Sequence, residues 1–248
     1  VDDPTHPVFI PGITARRVSQ MEAKLKNEIL FEASLHCGNI CVHKESANGS
    51  IDLLWEAVDE HSVQTVQEVY SDFESKGLNI KYLRVPIAQG VGPGINDFQF
   101  VVEQCEEFPE SPIIYNCQTG RGRSAVMMMI TTIVRFYQHC KKDVDIDVNL
   151  LKADGKAGSF RTLLKLISML PDGSLHERRV AILSELSDKI YNVGDKINRV
   201  FSSGQEPSQA ALMRLSQYAH LIVFSCYCEQ YFWTSQFEGT FQQWMDTY

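Results

Sequence analysis

The sequence predicts an α/β fold: a mixed, mostly parallel sheet flanked by helices, with a C-terminal helical extension. Three observations carry that expectation. Apolar runs of strand character recur near residues 40, 80 and 113, and segments of helical spacing separate them. An almost wholly apolar helix pattern, Ala125 to Tyr137, follows the third run, as expected of a helix buried at the centre. Past Lys142 the patterning is helical only. The 248 residues therefore divide into an α/β core over 1–142 and a helical lobe over 143–248, packed together as one structural unit.

In chain order, Val1 to Ile13 holds three prolines and reads as an extended entry, with Val8-Phe9-Ile10 a candidate edge strand. Val18, Met21, Leu25, Ile29, Leu30 and Ala33 recur at helical spacing, so a helix is predicted from Ala15 to about His36. Gly38 ends it, and Asn39 to His43 reads as a short buried strand. The Asn48-Gly49 turn signal makes Ile51 to Val58 the returning arm of a hairpin. Asp59 resembles an N-cap for a helix over Ser62 to Lys76, closed by Gly77. Leu78 to Ile87 reads as the next strand, and it runs into a glycine-rich loop, Ala88 to Gly94. Asn96 to Phe108 is helical, with Phe98, Val101, Val102 and Cys105 inward. Pro109 and Pro112 bracket the turn into the third strand. In the helix after it, Met127-Met128-Met129 reads as core filler. Beyond 142, Asp143, Asp145 and Asp147 lack the glycine and terminal glutamate of a calcium loop and read as solvated. Helices follow over Ser159 to Leu170, within Leu175 to Phe201, from Gln205 through Phe224, and over Phe237 to Tyr248. The apolar patch at Leu221 to Phe224 is interrupted by His220 and Glu229 and is too short for a membrane span.

The chemistry concentrates where the third strand ends. Ile113-Ile114-Tyr115-Asn116 drives into Cys117, and Gln118-Thr119-Gly120-Arg121-Gly122 leads to Arg123, Ser124 and the apolar helix. A cysteine, five residues and an arginine on a strand–loop–helix build an oxyanion cradle. Gly120 and Gly122 let the backbone curl so that successive N–H groups point at one anion, and the helix adds its positive end. Arg123 can grip two phosphate oxygens with its planar fork. The same field lowers the pKa of Cys117 and makes it a nucleophile for a phosphoryl group. Ser124 is placed to donate a hydrogen bond to that sulfur as leaving group. Arg121 adds a cation suited to a ligand with several phosphates, or simply points outward.

These residues resemble the signature of the cysteine-dependent phosphatases. The wording Asn116 to Ser124 is similar, more narrowly, to the paladin-like and protein-tyrosine-phosphatase-like inositol phosphatases. Leu54 to Val58, Ser62 to Val66, Tyr82 to Pro86 and Tyr218 to Ile222 extend the likeness over nearly the whole chain. The resemblance implies a cysteine-phosphatase-like α/β core. It implies hydrolysis of phosphomonoesters of inositol phosphates or phosphoinositides through a phosphocysteine intermediate, with no metal or organic cofactor. It also implies sibling domains in a longer chain. Two positions depart from the pattern. Gln89 stands where the similar phosphatases carry their general acid, an aspartate, in the loop after the strand containing Arg84. Asp97 is the nearest carboxylate, either a proton donor that swings in or a helix-start carboxylate paired with the dipole. Asn116 replaces the histidine that many of these enzymes place before the cysteine.

Two functions from different classes therefore stand. One is a phosphatase acting through Cys117, Arg123, Ser124 and Asp97, with Gln118 to Gly122 holding phosphate. The other is a pseudophosphatase that binds phosphorylated ligands or partners without efficient turnover. A phosphotyrosine substrate ranks lower, since nothing resembles the tyrosine-recognition loop. The expected ligand is a phosphorylated small molecule or lipid headgroup. A net charge of −8 argues against nucleic acid and requires any phosphate site to be a local positive pocket. Seven scattered cysteines without a Cys-x-x-Cys pair, and no visible signal peptide, read as a reduced, cytoplasmic protein.

Overall fold

In a computed structural model, residues 13–88, 91–140, 161–187 and 209–248 are described. They divide at Pro86/Ile87 into two units.

The first unit begins with α1 (Ala15–Leu35), whose N-cap Thr14 accepts the Arg17 N–H at 3.2 Å. Only Ala33 on this helix is fully buried; Met21 and Leu25 are exposed. β1 (Asn39–Glu45) and β2 (Ile51–Ala57) form an antiparallel hairpin in register Asn39↔Ala57 through Glu45↔Ile51. Its turn closes through the Ser46 N–H to the Ser50 carbonyl (2.8 Å), and Gly49 takes φ +80°, as a side chain there rarely does. β1 is half-buried at its start rather than buried throughout, and every residue of β2 is exposed. The helix expected from Ser62 begins later, as α2 (Val66–Ser75). Asp59 does accept the N–H groups of His61 and Ser62, but that closes a separate turn. Thr65 and Glu68 form a reciprocal capping box, which satisfies two otherwise unpaired donors and fixes the start.

The mixed α/β class holds, but its sheet is smaller than the strand pattern suggests. Among the described residues the only sheet is β1–β2. Residues 78–88 and 112–117 run without a ladder. The Ile80 N–H is spent locally on the Leu78 carbonyl (2.9 Å), and Pro86 and Pro112 offer no donor. Apolar alternation detects an extended chain; it does not detect a neighbour to pair with.

The second unit is helical. α3 (Ile95–Glu107) buries Phe98, Val101, Val102 and Cys105, as the pattern predicts. α4 (Gly122–His139) packs against α3, α6 (Gly173–Ser187) and α7 (Gln209–Cys228), while α5 (Arg161–Met169) packs on α6. Met127 and Met129 fill the core, and Met128 faces out at 42% exposure. A π-helical turn over Glu229–Trp233 leads to α8 (Phe241–Met245), where Thr240 and Gln243 form another capping box. Phe98, Phe224, Tyr227, Phe241 and Trp244 make one aromatic cluster with ring centroids 4.9–6.4 Å apart. Each such buried side chain contributes about 1.5–3 kcal/mol.

A polar network crosses this core. Tyr137 Oη and His176 Nδ1 lie 2.9 and 3.1 Å from Ser225 Oγ, and His176 Nε2 lies 3.0 Å from Glu229 Oε2. Arg179 pairs with Glu229 at 3.0 Å and lies over the Trp233 ring. The histidine hydrogen bond and Arg179 outweigh burial and hold the Glu229 carboxyl down to about 2. Among the described residues no helix is long and apolar enough to cross a membrane. Val8 to Ile10, Gln89, the aspartates at 143, 145 and 147, the 142/143 boundary, and the helical expectations at 190–201 and 205–207 lie outside the described residues.

Candidate active site

The site is assembled by α4 from both ends. At its far end Arg135 donates to the carbonyls of Cys105, Phe108, Pro109 and Ser111, gathering the frayed end of α3 and the turn that leads to Pro112. Tyr115 Oη then meets Thr131 Oγ1 at 2.6 Å, fastening the extended segment along the same helix two residues before Cys117.

At the near end the Gly120 N–H returns to the Cys117 carbonyl (3.2 Å), and Gly120 adopts φ +63°. That left-handed residue turns the chain within the loop. The first bond of α4 is the Ala125 N–H to the Arg121 carbonyl at 2.9 Å. The N–H groups of Gly122, Arg123 and Ser124 thus belong to the helix's unpaired first turn. No side chain caps this end and no acidic residue occupies its first turn, so its positive pole is left for another anion.

Cys117 is that anion. Burial pushes its thiol up, but the Ser124 hydroxyl and the N–H groups of Ser124, Thr119 and Arg121 pull it down to about 6. Hydrogen bonds, rather than the arginine charges the sequence draws attention to, are the chief lowering influence. Ser124 is 5% exposed, its hydroxyl has no hydrogen-bond partner within normal reach, and it is the first of the groups that lower the Cys117 thiol. Arg123 is half-buried and donates from Nη1 to the Ile87 carbonyl at 3.2 Å. Gln118, Thr119, Gly120 and Arg121 line the exposed rim, with Gly122 half-buried beneath them.

Asp97 sits in the first turn of α3, where Oδ2 accepts the Gly94 N–H at 2.8 Å. Burial raises its carboxyl above the ordinary range, and the Gly94 N–H opposes that rise. This is a helix-start carboxylate; nothing in its contacts joins it to Cys117. The contributors that motif reading misses are Arg135 and the Tyr115–Thr131 pair. The signal for Arg135 is present: one cation inside an apolar helix must find carbonyls or an anion.

An activated cysteine, a curled glycine loop and an uncapped helix start holding an arginine define a cysteine-phosphatase-like site. Residues 1–135 match the model of the protein-tyrosine-phosphatase-like phytase family, described by the words "Inositol hexakisphosphate", and the chain belongs to that family. Among curated proteins it is 24% identical to paladin of Danio rerio over 231 residues, covering 85% of this chain and 25% of the relative. It is 25% identical to paladin of Gallus gallus over 186 residues (67% of this chain, 21% of the relative). To paladin of Homo sapiens it is 24% identical over 183 residues (66% and 21%). The chain thus spans a quarter or less of the length of these relatives. No solved structure gives a significant match.

Proposed function

We propose that this chain hydrolyses phosphomonoesters of inositol phosphates or phosphoinositide headgroups through a phosphocysteine intermediate. The observation that carries the reading is the Cys117 thiol, held near 6 and hence ionised at neutral pH. The sulfur lone pair attacks phosphorus; the S–P bond forms as the ester P–O bond breaks, and the departing alkoxide takes a proton from Asp97 or from water. Water then attacks phosphorus, the S–P bond breaks, and phosphate and the thiolate are released. Arg123 and the loop N–H groups face the equatorial oxygens, where charge stabilisation has its largest effect on phosphoryl transfer. The exposed Arg121 and the family's description support a ligand with several phosphates. A thiolate nucleophile works in a reducing compartment, which supports a cytoplasmic setting. The chain's small share of its relatives' length supports sibling domains.

A second reading, a phosphate-binding pseudophosphatase, is favoured by one specific observation: Asp97 is engaged with Gly94, and Gln89 holds the expected acid position. Phosphate release from a panel of inositol polyphosphates, phosphoinositides and a phosphotyrosine peptide separates the two, with Cys117→Ser as control. Release that vanishes in the variant supports the enzyme. Binding without release at any pH overturns it in favour of the pseudophosphatase.

A further inference from the structure

Gly92 stands unusually close to α7. A Cβ built there would lie 2.6 Å from Gln217 Cγ, 2.9 Å from Nε2 and 3.1 Å from Cδ, closer than carbon and nitrogen atoms pack. This is the one glycine of the 88–94 loop that meets such an obstacle among those described. The described residues on either side of it are tied by hydrogen bonds. The Gly94 N–H goes to Asp97 Oδ2 (2.8 Å), the Val91 N–H turns back to the Ala88 carbonyl (3.3 Å), and the Ile87 carbonyl receives Arg123 Nη1 (3.2 Å). Gln217 is half-buried on α7, and one turn further along that helix Leu221 is fully buried. The atoms that face Gly92 all belong to the Gln217 side chain, so that side chain is what backs the loop at this point.

We propose that Gln217 is a positioning residue for the oxyanion cradle: by backing the loop at Gly92 it sets the Ile87 carbonyl and, through it, the guanidinium of Arg123. This rests on the reading of Cys117 to Ser124 as an oxyanion site. It gives the C-terminal helices a task in that site, and it explains why residue 92 has no side chain. Displacing the loop withdraws the carbonyl that orients Arg123. The Ser124 and backbone N–H bonds that ionise Cys117 stay in place, so grip and nucleophile come apart.

The test measures protection of Cys117 from iodoacetamide by tungstate, read on the Cys117 peptide by mass spectrometry. Gly92→Ala, Gln217→Ala and the double variant are compared with wild type. Gly92→Ala is expected to weaken tungstate protection roughly tenfold, in keeping with the steep cost of a displaced positioning group. Gln217→Ala removes the backing and weakens it by less. Because the atoms a Cβ would strike belong to Gln217, the double variant should be no worse than Gln217→Ala alone, whereas independent effects would add. In all four proteins the alkylation midpoint should stay near the wild-type value. Unchanged protection in Gly92→Ala, additive losses, or a thiol midpoint that moves with the losses would each overturn the proposal. Wild-type protein that tungstate fails to protect would instead sink the oxyanion reading itself, and this inference with it.

Discussion

Replacing Ser124 by alanine tests the central electrostatic claim. The Ser124 hydroxyl is the leading influence holding the Cys117 thiol down to about 6. A hydrogen bond to a charged group contributes about 1.5–3 kcal/mol. At about 1.4 kcal/mol per pH unit, its loss moves the titration midpoint up by roughly one to two units. At pH 6 the wild-type thiol is half ionised, and the variant would be only about 1–10% ionised. A more basic thiolate is also a better nucleophile, with a Brønsted slope of about 0.4–0.5, which offsets part of that fall. Alkylation of Ser124→Ala at pH 6 should therefore be roughly two- to fivefold slower than wild type, and faster at pH 9. The two rate–pH curves cross. Site-resolved mass spectrometry of iodoacetamide-treated protein reads this for the Cys117 peptide, despite the half-buried Cys41 and Cys140 and the exposed Cys37. Linkage adds a second readout. A thiol whose pKa falls on folding contributes stability that is fully present above its unfolded pKa, about 8.5, and lost as pH falls through about 6. The rise in unfolding free energy across that window should shrink in Ser124→Ala. A variant midpoint still near 6, or curves that never cross, would refute the reasoning.

Three other perturbations follow from the geometry. Gly120→Ala meets no atom within 4 Å but must hold φ +63°, so backbone strain alone should cost about 1–2 kcal/mol, and Gly120→Asn less, in urea unfolding. Arg135→Ala abandons the carbonyls of Cys105, Phe108, Pro109 and Ser111 and should lower stability by about 2–3 kcal/mol, with near-native circular dichroism. Glu229→Gln leaves His176 and Arg179 without their carboxylate and should cost roughly 3 kcal/mol at pH 7. Because that carboxyl is lowered to about 2, its contribution is complete above its ordinary range near 4.5 and fades toward pH 2. Unfolding curves of the two proteins should therefore converge in acid.

The helices were legible because each carries its own evidence. Phe98, Val101, Val102 and Cys105 recur at helical spacing and all point inward. The candidate loop is easy to find in the sequence because its residues are contiguous: Cys117 to Ser124 contains thiol, glycines, arginine and hydroxyl in one run. What failed was whatever depends on a distant partner. Leu78 to Ile87 alternates like a strand, but alternation records only which side of an extended chain is apolar. The α2 start moved from Ser62 to Val66 because two good caps compete: Asp59 makes a reciprocal pair with Ser62 that closes only a turn, and the Thr65–Glu68 box opens the helix. The π-helical turn and the Tyr137–His176–Ser225–Glu229 network span three helices, and no local pattern announces them.

The leaving-group proton has a sharp signature in the choice of substrate. An activated thiolate and an arginine suffice to expel a phenolate, which is a weak base and leaves unprotonated. An inositol alkoxide is a strong base and needs a proton in the transition state. With Gln89 where the resemblance expects the acid, and Asp97 tied to Gly94, the proposed phosphatase should cleave an aryl phosphate much faster than an inositol phosphate. Gln89→Asp should then accelerate inositol phosphate hydrolysis by roughly 10²–10⁴-fold and change the aryl rate little, because only the alkoxide needs the proton. If Asp97 is the donor, Asp97→Asn will slow the inositol ester selectively, and Gln89→Asp will add little. An equal effect on both substrates from either substitution would mean that neither carboxyl position handles the leaving-group proton. The same outcome would leave Asp97 with a purely structural role, as the first-turn carboxylate of α3.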